Sequence, residues 1–271
     1  MTLETFSKIA IAYSNRVSPA NVTAVTTSGI SAFLGGFPAS NLEYPDPWTM
    51  MKTASISGEP IIQHTFAFSI TPRVLGLINH NLFVAGYTTV QVEYFNGTIW
   101  VNLGTVTLPS TDQDLLIPWT ENVSATQWRW RLGSAQGNFF MGSVFYGIRR
   151  TFDVQAASRG VTQSRRTPLV IEQSAGGARH VSFGADRRTS DMQLTWNRGS
   201  IDDRSFFEQI NHDELIGIVS PEHGDAAQVP SGSPIFWGYV ESVDDSPRGP
   251  GMHLTAQKAT YDFTVSLRGA A

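Results

Sequence analysis

Asn79-His80-Asn81 sets an imidazole, the side chain best suited to proton transfer near neutral pH, between two carboxamides. Catalysis needs more than one such group: a nucleophile, a base and something that orients them. The remaining histidines, His64, His180, His212, His223 and His253, are scattered, and none stands at a compact metal-ligand spacing such as H-x-x-x-H. The chain has no G-x-S-x-G elbow, no Walker loop and no G-x-G-x-x-G turn. Closely spaced carboxylates occur at Asp112 and Asp114, Asp202 and Asp203, Asp213 and Glu214, and Asp244 and Asp245. Glycoside hydrolysis requires two carboxyls facing each other across a cleft. These pairs sit beside Ser, Pro or Gly, or at the ends of a helix, where solvation and capping account for them. We therefore assign no catalytic residue, no cofactor-binding residue and no metal ligand, and expect a protein that is not an enzyme. Asn side chains mimic turn hydrogen bonds and tolerate the left-handed region, so Asn79-His80-Asn81 reads as a turn at a strand end, with His80 a loop or packing residue.

Two residue types point to binding instead. Trp48 lies in the Pro-flanked run "YPDPWTMM", and aromatic faces stack on sugars, so it is a conceivable sugar platform. Trp48, Asn79 and His80 are the candidate glycan contacts. Trp100, Trp128 and Trp130 fall in alternating segments and read as core or subunit contacts. Arginine far outnumbers lysine, which is limited to Lys8, Lys52 and Lys258. Arg149, Arg150, Arg165, Arg166, Arg187 and Arg188 crowd the middle of the chain. The planar guanidinium fork suits protein interfaces, so these six are the candidate subunit interface. Compositional bias with solvated charge is the competing account.

The 271 residues suit one large domain or two of ordinary size. A hydrophobic share of 41% can build a core, and a charged share of 15% fits many short strands better than a solvated helical protein. The formal net charge is -4, against a general nucleic-acid or anionic-membrane binder. Without cysteine there is no disulfide framework, thiol nucleophile or Cys-ligated zinc. Met1 to Ala12 lacks the long apolar run of an export signal, and no stretch reaches the ~18 apolar residues of a membrane helix. The expectation is a chain made in the cytoplasm, with no membrane insertion.

A period of two dominates. Phe66, Phe68 and Ile70 alternate with polar or small residues, as do Val90, Val92 and Tyr94, and Trp128, Trp130 and Leu132. The pattern returns at Met192, Leu194 and Trp196, at Ile235, Trp237 and Tyr239, and from Tyr261 to Leu267. Asn96-Gly97 between two such runs predicts a type I′ hairpin. One helix is predicted, capped by Ser200, with Asp202 and Asp203 in its first turn, Phe206, Phe207 and Ile210 on one face, and an end near His212. Alternation stops after Val144-Phe145-Tyr146 and a polar stretch follows, giving domains 1–150 and 151–271.

The order "ASNLEYPDPWTMM", "HTFAFSITPRVLGLINHNL", "TTVQVEYFNGTIWVNL" and "ATQWRWRL" resembles discoidin-like (galactose-binding-like) jelly rolls. Variants of this domain are common in tail proteins of tailed bacteriophages. The second half, through "GGARHVSFGADRRTSDMQLTW" and "SPIFWGYVESV", is similar in texture to β-sandwich segments of phage minor tail or baseplate proteins. The resemblance implies an all-β protein: an N-terminal discoidin-like jelly roll, then a second β-sandwich domain with one short helix. It further implies a structural component of a virion tail tip or baseplate, made in the host cytoplasm. Its partners would be itself as a homo-oligomer and other phage tail proteins, with no nucleic acid; host surface glycan is a further partner. The alternative is a carbohydrate-binding module that attaches to a cell-surface glycan. Some galactose-binding-like folds hold a structural calcium; no dense Asp/Asn loop is present here and none is assigned.

Overall fold

The computed structural model describes residues 10–108, 114–118, 122–134, 136–152, 156–166, 169–173, 179–183, 187–210, 214–219, 235–245, 253–255 and 258–269. The chain divides into two compact units, Met1–Thr151 with Gly217–Ile235, and Phe152–Ile216 with Phe236–Ala271.

The first unit is a jelly roll built on β1 (Ala10–Tyr13), β2 (Val22–Phe33), β3 (Met51–Ile70), β4 (Val74–His80), β5 (Thr89–Phe95), β6 (Trp100–Thr107), β7 (Leu115–Pro118), β8 (Ala125–Arg131) and β9 (Phe140–Thr151). One sheet runs β2-β3-β8-β5-β6, all antiparallel. In the other, β4 lies between β7 and β9, and β9 continues to β1. The 20-residue β3 serves both, since Met51 and Lys52 pair with Met141 and Phe140 of β9 before the strand crosses to β2 and β8. A strand from the later chain, β14 (Ile216–Val219), returns to pair with β1 in the register Ala10↔Val219.

Sequence periodicity maps onto these sheets in two ways. In β5 and β8, Val90, Val92, Trp128 and Trp130 face inward and are buried, while Gln91, Glu93, Arg129 and Arg131 take the other face. In β4, β7 and β9 the apolar residues run on without alternation: Val74, Leu75, Leu77 and Ile78 are all buried, as are Leu115 to Ile117 and Val144 to Tyr146. Strands covered on both faces read as continuous apolar runs. The core lies between the sheets, with Ile62, Phe66, Trp128 and Trp130 from one meeting Leu75, Leu77, Ile117 and Tyr146 from the other.

Two expectations need correction, and one core position breaks the apolar pattern. Phe68 is 46% exposed although Phe66 and Ile70 are buried, because the β3–β8 register slips between Thr65 and Ile70. His64, not a hydrophobe, occupies the core position between Ile62 and Phe66. The β5–β6 hairpin exists, but Phe95 pairs with Trp100 across the four residues Asn96 to Ile99. Gly97 has a positive φ of 96° and Asn96 does not, so the turn is not type I′. Asn96 instead turns the chain with its side chain, its Oδ1 accepting from the N–H groups of Thr98 (3.0 Å) and Ile99 (2.9 Å).

On the outer face of the first sheet, Glu93 is 4% exposed beneath two arginines. It accepts from Nε of Arg129 and, at 3.1 Å, from Nη1 of Arg131. Arg131 also donates to Glu59 at 2.6 Å, and these two carboxylates hold its guanidinium above the usual range. The Arg129 guanidinium lies 4.1 Å over the Trp100 ring. Trp100 is thus a sheet-surface residue stacked on charge, whereas Trp128 and Trp130 are core.

In the second unit, an antiparallel sheet runs β10 (Ala156–Arg166), β13 (Arg187–Ser200), β17 (Lys258–Gly269), β15 (Ile235–Asp245). Strands β11 (Leu169–Gln173) and β12 (Arg179–Phe183) pair with each other, and β16 (His253–Thr255) pairs with β17. Much of the polar stretch after Arg150 is therefore strand β10. The helix α1 (Ile201–Gln209) carries Asp202 and Asp203 in its first turn and buries Phe206 and Phe207, with Ile210 buried just beyond its end. Phe207 stacks on Phe152 with ring centroids 5.5 Å apart. The expected helix end at His212 lies outside the described residues.

The buried imidazole gives the first unit an acid-sensitive core. His64 is fully enclosed; its Nε2 reaches the Leu42 carbonyl at 3.3 Å, and its Nδ1 meets no hydrogen-bond partner among the described residues. Burial lowers its pKa from 6.5 to about 4, against a smaller opposing effect of the Leu42 carbonyl. Between those values the unfolded chain binds a proton that the folded chain refuses, so stability rises with pH across this window and is lost as pH falls from 6.5 to about 4. The loss amounts to about 3 kcal/mol, from ~1.4 kcal/mol per pKa unit. Urea unfolding measured between pH 7 and pH 4 should show this slope, and His64→Leu should flatten it.

Candidate binding site at the loop end of the jelly roll

Strand register brings several loops to one end of the sandwich. His80, at the end of β4, and Met51, at the start of β3, both pair with Met141 near the start of β9. The loops 34–50, 81–88 and 132–139 therefore emerge together. The first contains a short 3-10 helix, Ala39–Glu43, whose Leu42 is buried as its anchor. Asn41 ties this helix to the strand, its Nδ2 donating to the Met50 carbonyl at 2.7 Å.

Trp48 stands on this loop, 55% exposed. Asp46 holds it: one carboxylate oxygen accepts from the Trp48 N–H at 3.0 Å and the other from the Thr49 hydroxyl at 2.9 Å. Pro47, just before it, is buried. The Asn79 side chain donates to the Pro47 carbonyl at 2.8 Å, and the Asn79 N–H donates to Asp114 at 2.6 Å. Gly142 completes the pin, since a Cβ there would collide with the Pro47 carbonyl and crowd Cβ of Asn79. The result is an exposed indole on a loop whose backbone is fastened to two strands. Tyr44 and Leu34 of the same loop and Val84 of the loop 81–88 are also exposed.

The three sequence candidates occupy different depths. Trp48 faces solvent. Asn79 is spent on the Pro47 and Asp114 contacts and adopts φ 51°, the left-handed conformation that its residue type tolerates. His80 is buried, with Nδ1 accepting from the Leu82 N–H at 3.4 Å, so it shapes the turn and offers no face to a glycan. Asn81 fastens the next loop, its Oδ1 accepting from the Phe140 N–H at 2.7 Å. Sequence reading missed Asp46 and Gly142. Asp46 had a local signal, an Asp two residues before an aromatic and flanked by prolines; Gly142 had none, because its neighbour Pro47 is distant in sequence.

The arginines fall in two places. Arg149 and Arg150 lie on β9 opposite Ala12 and Ile11, within the jelly roll. Arg165, Arg166, Arg187 and Arg188 lie on β10 and β13 of the second unit. No group of three or more His, Asp or Glu residues placed to hold a metal is found among the described residues, and no helix among them is long and apolar enough to cross a membrane.

Neither a family model nor a curated protein matches the chain. Solved structures similar to it include the family 32 carbohydrate-binding module from C. perfringens NanJ in complex with galactose. That match has 10% identity, covers 50% of this chain and 96% of that one, and has a TM-score of 0.40. A chitosan-binding module derived from a chitosanase/glucanase of Paenibacillus sp. IK-5 matches at 18% identity over 49% of this chain and 98% of that one, with a TM-score of 0.39. The family 32 carbohydrate-binding module of Streptococcus pneumoniae EndoD matches at 12% identity over 49% and 97%, again at 0.39.

Asn79 carries two duties that substitution can separate. Asn79→Ala loses the bond to Pro47 and strains the backbone, and should cost about 2 kcal/mol in urea unfolding. Asn79→Gly relieves the strain and loses only the bond, so its cost should be about 1 kcal/mol. Equal losses in the two variants would show that the left-handed conformation contributes nothing.

Proposed function

We propose that the jelly roll is a non-catalytic binding module that takes a neutral glycan at its loop end, with Trp48 as the stacking platform. The observation that carries this reading is an indole left exposed on a loop that is otherwise pinned. Exposing a large aromatic costs stability, and fastening its backbone costs conformational freedom; a preformed platform recovers both when a sugar ring covers it. Exposed Tyr44 extends the same loop with a second aromatic face. Two carboxylates here are committed elsewhere: Asp46 to its turn, Asp114 to the Asn79 N–H. Such carboxylates position a loop and are not paired across a cleft, which supports binding without hydrolysis.

The resemblance to tail proteins of tailed bacteriophages suggests where such a module would work. On that reading the chain is a virion component of a tail tip or baseplate, its jelly roll turned to a host surface glycan and its second unit to neighbouring subunits. The arginine-rich pairing of β10 with β13 favours the assembly half of this reading.

A glycan array followed by calorimetry on the best neutral sugar tests the binding role. Trp48→Ala should weaken binding at least about tenfold, the loss of a buried aromatic anchor, while the melting temperature stays within about 2 °C because the side chain supports no core. Undiminished binding in that variant, or no neutral glycan bound by the parent protein, would sink the proposal.

A further inference from the structure

His64 bonds to the anchor of the loop that carries Trp48. Its ring is fully buried, and its Nε2 donates to the Leu42 carbonyl at 3.3 Å, so the neutral ring carries its proton there. A second proton has to go on Nδ1, which has no hydrogen-bond partner among the described residues. Val25 of β2 and Trp128 of β8 lie opposite His64 in their ladders, and β9 brings the Tyr146 ring to 5.5 Å. Of these Tyr146 is the titratable one, and burial keeps its phenol neutral. Charged residues next to these contacts are Glu43, half-buried beside Leu42, and Arg129, which turns to Glu93 on the outer face. The 3-10 helix that holds Leu42 packs on β2, β3 and β9, and no side-chain bond caps its N-terminus. The chain enters this loop through Gly35 and Gly36, where a Cβ would meet nothing within 4 Å and Gly36 has φ 81°, a ready hinge.

We propose that His64 is an acid-triggered latch, whose protonation frees the loop 34–50 from the jelly roll and with it the Trp48 platform. An imidazolium without a partner is costly in an apolar core, and the cheapest opening that brings water to it is preferred over unfolding the unit. The strands beside His64 are held by ladder hydrogen bonds. The loop is held by buried Leu42, by its own turn bonds, and by the Asn41 and Asn79 side chains, each donating to one carbonyl. The enclosed ring refuses a proton down to about pH 4, whereas a freed ring accepts one near 6.5. Opening is therefore favoured as pH falls through that window and disfavoured above it. Release of a glycan by acid rests on the glycan reading; the opening itself does not.

Hydrogen exchange on the full chain, corrected for the intrinsic rate at each pH, tests it. Tyr44 donates its N–H to the Asn41 carbonyl and Lys52 to the Phe37 carbonyl. Between pH 7 and pH 5 these amides should lose at least about tenfold in protection. Val92 and Trp130, paired between β5 and β8, should lose less than about twofold. His64→Gln keeps a donor for the Leu42 carbonyl and does not titrate, so its loop should be equally protected at both pH values. His64→Leu makes no such bond and should be equally flat with pH, from a lower level. Where a glycan array yields a neutral sugar, its affinity should fall at least about tenfold from pH 7 to pH 4.5 in the parent and stay level in His64→Gln. Loop protection unchanged at pH 5, a loss spread evenly over loop and ladder, or a loss that persists in both variants overturns the proposal. So does a glycan that the parent holds as tightly at pH 4.5 as at pH 7. Exchange is read without glycan, so the latch stands or falls on it even where the glycan reading fails.

Discussion

Tyr146 holds the two sheets of the jelly roll in one relation. It comes from β9, in the sheet with β4, and its ring meets His64 and Phe66 of β3 at 5.5 Å and Trp128 of β8 at 5.9 Å. Trp130 approaches at 6.3 Å. Edge-to-face and tilted aromatic pairs have preferred geometries in addition to the large area they bury, so they fix how one sheet sits on the other. Burial drives the Tyr146 phenol far above its ordinary range, so it stays neutral. The same strand that delivers Tyr146 to the core begins at Phe140, where Gly142 meets Pro47. Core packing and loop geometry are thus set by one strand, through Tyr146 and Gly142 four positions apart.

That arrangement divides labour within the unit. The sandwich interior is apolar and aromatic, with His64 a titratable weakness at mild acidity. The outer face of the first sheet is a charge lattice in which Glu93, Arg129, Arg131 and Glu59 satisfy one another and Trp100 is covered by a guanidinium. A desolvated carboxylate needs more than one donor to offset its loss of water, and Glu93 has two arginines. At the loop end, side-chain hydrogen bonds of Asn41, Asp46 and Asn79 hold backbone in place and leave the faces of Trp48 and Tyr44 exposed. Binding surfaces carried on rigid strand ends lose little freedom when occupied.

The sequence by itself determined the class of the fold. Alternation with a period of two, turn residues between the runs and a lone helical stretch demand an all-β chain, because side-chain direction follows the pleat whatever the sheet order. It also determined that Asn79 stands at the end of a strand and that Trp48 lies in a loop. Only the tertiary structure decided the rest. Phe68 turned outward because a register slip in β3 depends on how β8 lies beside it. His64 became a core residue because both sheets closed over it. His80 went under the loop while Trp48 stayed above it, since depth depends on the chain segments that pack around a turn and not on the turn's residues. Gly142 acquired its meaning from Pro47, through a contact between residues far apart in sequence. Local propensity reaches a few residues along the chain; strand pairing joins distant ones, and the choice of partner is settled by burying the whole core at once.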